Sequence, residues 1–194
     1  MIAVTVHEFS HGWVAYKLGD MTAKYSGRLT LNPLAHIDPI GTIVLPLLLF
    51  ISTQGRFVFG YAKPVPINYW GLKNPRRDMG LIGVSGPLAN ILFAFLLSII
   101  LRFVAQDPRA LFVVGYLITI NVVLGVFNLI PIPPLDGSRI LSSILPEGLA
   151  RSYNRVEPYG FIILMLFIVS GMANVIIWPA VNIILRLFGL PFPL

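Results

Sequence analysis

Long uncharged apolar runs are the feature of this sequence that most limits its possible folds. Residues 79–101 and 110–131 contain no charged side chain, residues 159–185 are longer still, and residues 40–53 form a shorter run. Because a helix needs about 20 apolar residues to cross a bilayer, the first two runs predict one span each, and the third predicts one tilted or two short spans. With residues 1–18 as a further membrane helix that is polar on one face, the sequence predicts an all-α polytopic membrane protein with four to six transmembrane helices.

The composition agrees with a chain that lies in lipid. Charged residues make up 11% and hydrophobic residues 56% of the 194 residues, and the mean hydropathy is +0.82, whereas soluble domains carry about 25% charged residues. The net charge of +6 would suggest nucleic acid in a soluble protein, but the basic residues lie in loops and at segment ends, where lipid headgroups explain them. We therefore expect the lipid bilayer, and no nucleic acid, as a partner.

The first dozen residues contain HEFSH, with His7 and His11 four positions apart. Side chains at this spacing share one face of an α-helix, so both imidazoles can aim at a zinc ion about 2 Å from each nitrogen. Glu8 lies too far round the helix to bind that ion easily, yet it can reach a water there as a general base. The alternative is two ordinary histidines on a buried face. The chain has no cysteine, so any metal depends on His, Asp and Glu.

The apolar run at residues 110–131 ends in a second notable stretch, residues 128–137, which read NLIPIPPLDG. Three prolines in four residues forbid a continuing helix, so the chain becomes extended and delivers Asp136 to a turn with Gly137. Catalytic zinc takes three protein ligands, and His7, His11 and Asp136 would complete that set. Asp136 could instead cap a helix over about residues 137–145, and a carboxylate has oxygens for both roles.

Other ionisable residues are weaker candidates for the metal. His36 lies between prolines two residues before Asp38, without a motif that would make it a ligand. Glu147 and Glu157 lack a proline or glycine turn that would hold them at membrane depth. We therefore do not predict these residues as ligands.

Asparagines interrupt two of the apolar runs. Asn90 follows Gly86 and Pro87 in SGPLAN, where its amide must face protein or a cavity. It could hydrogen-bond an oxyanion or a substrate backbone, but spacing alone favours an ordinary contact between helices. Asn121 and Asn128 lie seven residues apart and share a helix face, which fits either interpretation.

Residues 54–77 differ from the apolar runs in their pattern of residues. The prolines of KPVPINYW exclude a helix and favour a short extended or β-hairpin segment at the membrane interface. The stretch from Phe57 to Trp70 could pair with an unwound substrate by strand addition. A plain interfacial loop explains the same residues equally well.

Four motifs, in this order, resemble those of the site-2 protease family of intramembrane zinc metalloproteases, peptidase family M50: HEFSHGWVAYKLGD, NPLAHIDPIGT, SGPLAN and NLIPIPPLDG. Residues 27–41 are similar to the compact prokaryotic members without a PDZ domain. The resemblance implies a single transmembrane metalloprotease domain over residues 1–194, with core motifs in 7–145 and C-terminal helices in 158–188. Members carry more apolar residues before HExxH, so we expect the natural first helix to begin upstream.

The resemblance also implies a site and a reaction. One zinc ion per chain would be held by His7, His11 and Asp136, with Glu8 activating the attacking water. Asn90 would assist catalysis, and Asn90 and Asn128 would bind substrate, which reverses the preference for Asn90 as a packing residue. The implied activity is endopeptidase cleavage of peptide bonds in or near the transmembrane segments of membrane-protein substrates. The implied location is the inner membrane of a prokaryotic cell.

Two other classes of function fit the same polar residues. In an ion or solute transporter, the intramembrane side chains would line a path, but the sequence shows no inverted repeat of the kind many transporters have. A membrane zinc hydrolase of a lipid or small amide would share the site and differ in its substrate. Transport without hydrolysis would identify the transporter, and cleavage of a membrane-spanning peptide would identify the protease.

Overall fold

The computed structural model describes residues 1–55, 58, 60–104 and 106–190, and these residues are largely helical. Short 3₁₀ turns and one π-helical turn, Pro39–Val44, connect or extend the helices. The α-helices are α1 Ile2–Lys17, α2 Thr22–Tyr25, α3 Leu45–Ser52, α4 Pro75–Val104, α5 Pro108–Asn128, α6 Asp136–Ile144, α7 Glu147–Asn154, α8 Gly160–Val169 and α9 Met172–Leu187.

Two helices, α4 and α5, are long and apolar enough to cross a membrane. The segment Glu147–Val169 and α9 are apolar enough together to make a third candidate span. They meet at an angle of 78°, so this span would be a broken one. The prediction of four to six spans is therefore not confirmed. The run Pro39–Ser52 forms an apolar helix of 14 residues, about 21 Å long at 1.5 Å per residue and so shorter than a hydrocarbon core of about 30 Å.

The predicted hairpin is likewise not confirmed, because the described residues contain no β-strand. Phe57, where the predicted strand begins, lies outside the described residues, and the chain from Gly60 to Asn68 is irregular. Pro64 and Pro66 lack the N–H donors that a strand ladder needs. The segment is nevertheless anchored, since the N–H groups of Tyr61 and Lys63 donate to the carbonyl oxygens of Gly41 and His36 at 3.0 Å each.

Helix α4 lies at the centre of the fold and packs against α5, α1 and α6. Gly80, Gly83 and Gly86 follow one another at intervals of three residues, so they lie toward the same side of α4. A Cβ at Gly83 would lie 3.0 Å from the carbonyl oxygen of Asp136. The glycines therefore let the helices that carry the candidate site residues approach α4 closely.

An apolar core between α4, α5, α8 and α9 fixes the position of α5. Ile118 and Val122 of α5 are fully buried in it and lie in the same cluster as Val181 and Leu185 of α9. Because close-packed side chains resist displacement, this core also fixes Asn121, which lies next to Val122 and is itself buried.

Candidate metal centre

Helix α1 presents His7 and His11 on one buried face, one turn apart. Their Nε2 atoms are 3.0 Å apart, and their rings meet edge to face. Glycine, alanine and threonine account for the other buried residues of this helix, so α1 approaches its neighbours closely around the two imidazoles. The spacing seen in the sequence thus produces two nitrogens aimed at one point.

Asp136 brings a carboxylate to the same point from the start of α6. Its Oδ2 atom lies 2.9 Å from Nε2 of His7 and 3.1 Å from Nε2 of His11. Leu135, not Asp136, occupies the cap position of α6, and the carboxylate makes no capping hydrogen bond. A Cβ at Gly137 would lie 2.3 Å from the carbonyl oxygen of Leu129, so the turn that delivers Asp136 requires glycine.

The other ring nitrogen of each histidine is committed to an oxygen. Nδ1 of His11 lies 2.7 Å from the carbonyl oxygen of Ile82, and Nδ1 of His7 lies 2.7 Å from Oδ1 of Asn90. These oxygens can only accept, so each Nδ1 carries a proton and donates it. When the rings are neutral, the two Nε2 atoms therefore present lone pairs to the same point.

This donor set suits a metal ion. Two imidazole nitrogens and a carboxylate oxygen lie within about 3 Å of one another, and with neutral rings that carry their protons on Nδ1 they would repel unless a cation lay between them. His7, His11 and Asp136 each offer one ligand atom, and all of these atoms lie within 4.8 Å of one another. Imidazole nitrogens with one carboxylate oxygen are a ligand set that catalytic zinc uses.

Gly86 of α4 closes the site from the side. A Cβ at this position would lie 2.6 Å from Nε2 of His11 and 2.7 Å from Cε1 of His7. Any side chain would thus displace both imidazoles. Ser85 beside it donates its hydroxyl to the carbonyl oxygen of Ile82 at 2.7 Å, the same oxygen that His11 contacts.

Glu8 lies outside the ligand cluster, as its place on the helix predicts. Its side chain is half-buried, and its Oε2 atom accepts a hydrogen bond from the backbone N–H of Val65 at 2.8 Å. Val65 is the one residue with an N–H in Pro64-Val65-Pro66. The irregular segment therefore touches the site through Glu8.

Asn90 is fully buried beside His7. Its Nδ2 atom donates to the carbonyl oxygen of Ala3 at 2.9 Å and to Oδ1 of Asn121 at 2.8 Å. These contacts point toward a role in holding His7, and substrate binding by Asn90 stays a prediction. Asn128 is half-buried and donates to the carbonyl oxygen of Leu124 at 3.0 Å, so its predicted role also stays untested.

The weaker ligand candidates lie elsewhere. Nε2 of His36 contacts the carbonyl oxygen of Thr30 at 3.0 Å, and Glu147 forms an exposed ion pair with Arg151. Sequence reasoning did not identify Gly86, the Ile82 carbonyl or the contact between Val65 and Glu8. The one available signal was the lone N–H between two prolines at Val65.

Membrane-length helices around a buried His, His and Asp cluster define the class as membrane metalloenzymes. The model of the family described as peptidase family M50 matches residues 105–171, which include Asp136. YwhC of Bacillus subtilis, named "Putative zinc metalloprotease", is 38% identical over 205 residues, covering 99% of this chain and 90% of YwhC. The chain therefore belongs to peptidase family M50 and is a metalloendopeptidase.

Two further relatives are longer than this chain. Rip2 of Mycolicibacterium smegmatis, which carries the same description as YwhC, is 30% identical over 176 residues, covering 90% of this chain and 66% of Rip2. Zinc metalloprotease MJ0392 of Methanocaldococcus jannaschii is 31% identical over 191 residues, covering 97% of this chain and 44% of that protein. No solved structure matches the chain.

Proposed function

We propose that this chain is an intramembrane zinc endopeptidase that cleaves peptide bonds in or near the transmembrane segments of other membrane proteins. The observation that carries the proposal is the convergence of two Nε2 atoms and one carboxylate oxygen, each within about 3 Å of the others, among apolar helices. Zinc is the metal in the names of the relatives. One ion per chain, held by His7, His11 and Asp136, fits this donor set.

Zinc bound at this cluster would lower the pKa of a water toward neutrality and polarise a carbonyl oxygen. Glu8 accepts the proton of the attacking water and then passes it to the leaving amine nitrogen. Its Oε2 atom is held by the N–H of Val65, and the carboxylate has a second oxygen, Oε1, to receive the proton. Asn90 keeps the His7 ring in place by accepting from Nδ1.

The site also favours an unwound substrate. A peptide bond inside a helix is shielded by its own backbone hydrogen bonds, so a membrane-spanning substrate must open locally before attack. Glu8 lies between the buried ligands on α1 and the extended residues around Val65. A substrate strand alongside these residues would bring its carbonyl to the side of the site on which Glu8 lies. The prokaryotic inner membrane is the location that we propose for this reaction.

The test measures metal content and cleavage together on the detergent-purified chain. We expect one zinc per chain, lost in Asp136→Ala, and kept in Glu8→Gln with cleavage of a membrane-spanning peptide reduced at least about 100-fold. Glu157→Gln is the matched control, because it removes the charge of an exposed carboxylate outside the cluster. It should change neither readout.

Three outcomes would contradict the proposal. Zinc retained in Asp136→Ala would remove the carboxylate from the ligand set. Unchanged cleavage in Glu8→Gln would remove the general base. Hydrolysis of a small soluble amide, without cleavage of the membrane-spanning peptide, would favour the non-peptide zinc hydrolase.

A further inference from the structure

We propose that Asn121 is a positioning residue for the metal site, acting through Asn90 to orient the His7 ring with its N–H on Nδ1 and Nε2 toward the ligand cluster. The inference rests on the proposed function and extends it to a residue on a third helix. Asn121 lies on α5, Asn90 on α4 and His7 on α1, and their side chains are buried and joined by hydrogen bonds. None of the three helices holds this arrangement alone.

The orientation of these hydrogen-bonded side chains is set by a backbone carbonyl next to Asn121. Nδ2 of Asn121 donates to the carbonyl oxygen of Leu117 at 2.8 Å. A carbonyl oxygen only accepts, so the amide of Asn121 is oriented with its NH₂ group toward Leu117. Its Oδ1 atom is thereby presented to Asn90.

The orientation of the Asn90 amide in turn decides which of its atoms faces His7. Both hydrogens of its Nδ2 atom are used, one by Oδ1 of Asn121 at 2.8 Å and one by the carbonyl oxygen of Ala3 at 2.9 Å. Its Oδ1 atom must then face Nδ1 of His7, 2.7 Å away. Turning the amide of Asn90 over would set its oxygen against two acceptors in a buried site, where the cost of unpaired polar groups is high.

The last link decides which nitrogen of His7 can bind a metal. Because Oδ1 of Asn90 accepts, Nδ1 carries the proton, and Nε2 keeps its lone pair toward Asp136 and His11. The opposite tautomer would direct an N–H into the ligand cluster and remove one of its three ligands. Asn121 thus selects the metal-binding tautomer of His7 through Asn90.

The experiment compares three variants on α5 by zinc affinity, measured by competition with a fluorescent chelator in detergent. Asn121→Leu removes the acceptor while keeping a side chain branched at Cγ, and we expect zinc binding about 10- to 100-fold weaker. Asn121→Asp has the shape of Asn, and burial favours its neutral form, whose O–H donates to the carbonyl oxygen of Leu117 while the other oxygen accepts from Asn90, so we expect affinity within about threefold of the parent chain. Thr119→Val is the matched control, since it deletes a bond of the same type, from Thr119 to the carbonyl oxygen of Gly115 at 2.9 Å.

A second readout does not depend on whether Asn121→Leu folds. Nitrogen-15 chemical shifts distinguish the two tautomers of His7 in the metal-free parent chain, and we expect the proton on Nδ1. The proposal is overturned if the proton lies on Nε2, if Asn121→Leu binds zinc as the parent does, or if Asn121→Asp is as weak as Asn121→Leu. Loss of zinc in Asp136→Ala with normal binding in Asn121→Leu would reject this inference alone, whereas zinc retained in Asp136→Ala would reject the ligand set itself.

Discussion

The two sides of the site are built differently. On the ligand side, His7, His11 and Asp136 are buried; Nδ1 of each histidine contacts an oxygen on α4, and the carboxylate contacts both Nε2 atoms. On the other side, the half-buried Glu8 is held by one N–H from the irregular segment around Val65.

The difference follows from what each side must do. Ligand atoms need fixed positions, because zinc affinity depends on donor geometry and on the groups that orient the donors. Glu8 must transfer a proton next to a substrate that arrives and leaves, so an extended segment is a suitable neighbour. We infer that substitutions on the ligand side will change metal binding, whereas substitutions around Val65 will change turnover with the metal retained.

Gly86→Ala should have the largest effect. The added methyl group would lie 2.6 to 2.7 Å from atoms of both imidazoles, so the histidines must move and zinc affinity should fall by at least about 100-fold. Gly148→Ala is the control, because a Cβ at Gly148 meets nothing within 4 Å. Equilibrium zinc binding checks the result, and parent-like affinity in Gly86→Ala would show that α4 does not constrain the ligands.

Val65→Pro should lower turnover with little effect on zinc. Proline removes the N–H that donates to Glu8, so the carboxylate loses its orientation, and we expect kcat to fall about tenfold. Val65→Ala keeps the N–H and controls for the buried side chain. If zinc affinity fell as much as kcat in Val65→Pro, the two sides would not be separable.

Arg28→Gln should have a smaller effect of the same kind. The guanidinium donates to the carbonyl oxygens of Lys63 and Pro64 at 2.7 and 3.4 Å, and also to that of Ala35, so it fastens the residues just before Val65. Losing these bonds should lower kcat roughly two- to fourfold. Arg155→Gln, at an exposed position, is the control. A change in zinc content without a change in kcat would contradict this assignment.

Glu147→Gln should have the smallest effect, because Glu147 belongs to neither side. Its ion pair with Arg151 is exposed and lies within α7, where such pairs contribute about 0.3–0.5 kcal/mol to the free energy of unfolding. Zinc content and turnover should equal those of the parent chain. Loss of zinc in this variant would restore Glu147 as a candidate ligand.

The parts of the site that follow from local rules could be predicted from the sequence. The four-residue spacing placed His7 and His11 on one face, and the prolines before Asp136 indicated a turn that delivers a carboxylate. The structure brings these three side chains together, and their catalytic roles stay predictions. The supporting contacts could not be predicted. Every residue has a backbone carbonyl, so nothing in the sequence marks that of Ile82 as a partner of His11, and Gly86 matters only through packing between helices.

The fold was predictable to a similar extent. Apolar runs identified α4 and α5, since length and hydropathy decide a span almost alone. The last run was ambiguous, and its bend of 78° coincides with Gly171, whose φ of +78° suits glycine. The predicted hairpin is not seen in the described residues. Pro64 and Pro66 have no N–H donors for a strand ladder, and the N–H of Val65 donates to Glu8, a contact between distant residues that no local pattern contains.

The burial of the three ligands has a consequence for the rate of metal exchange. His7, His11 and Asp136 are 5%, 4% and 6% exposed, so we expect an ion to enter or leave through the same local opening that admits water and a substrate. Exchange then proceeds at the rate of that opening, and adding more chelator beyond a certain concentration does not accelerate it. We expect a metal held in this way to be released slowly, at a rate set by the protein and not by the chelator.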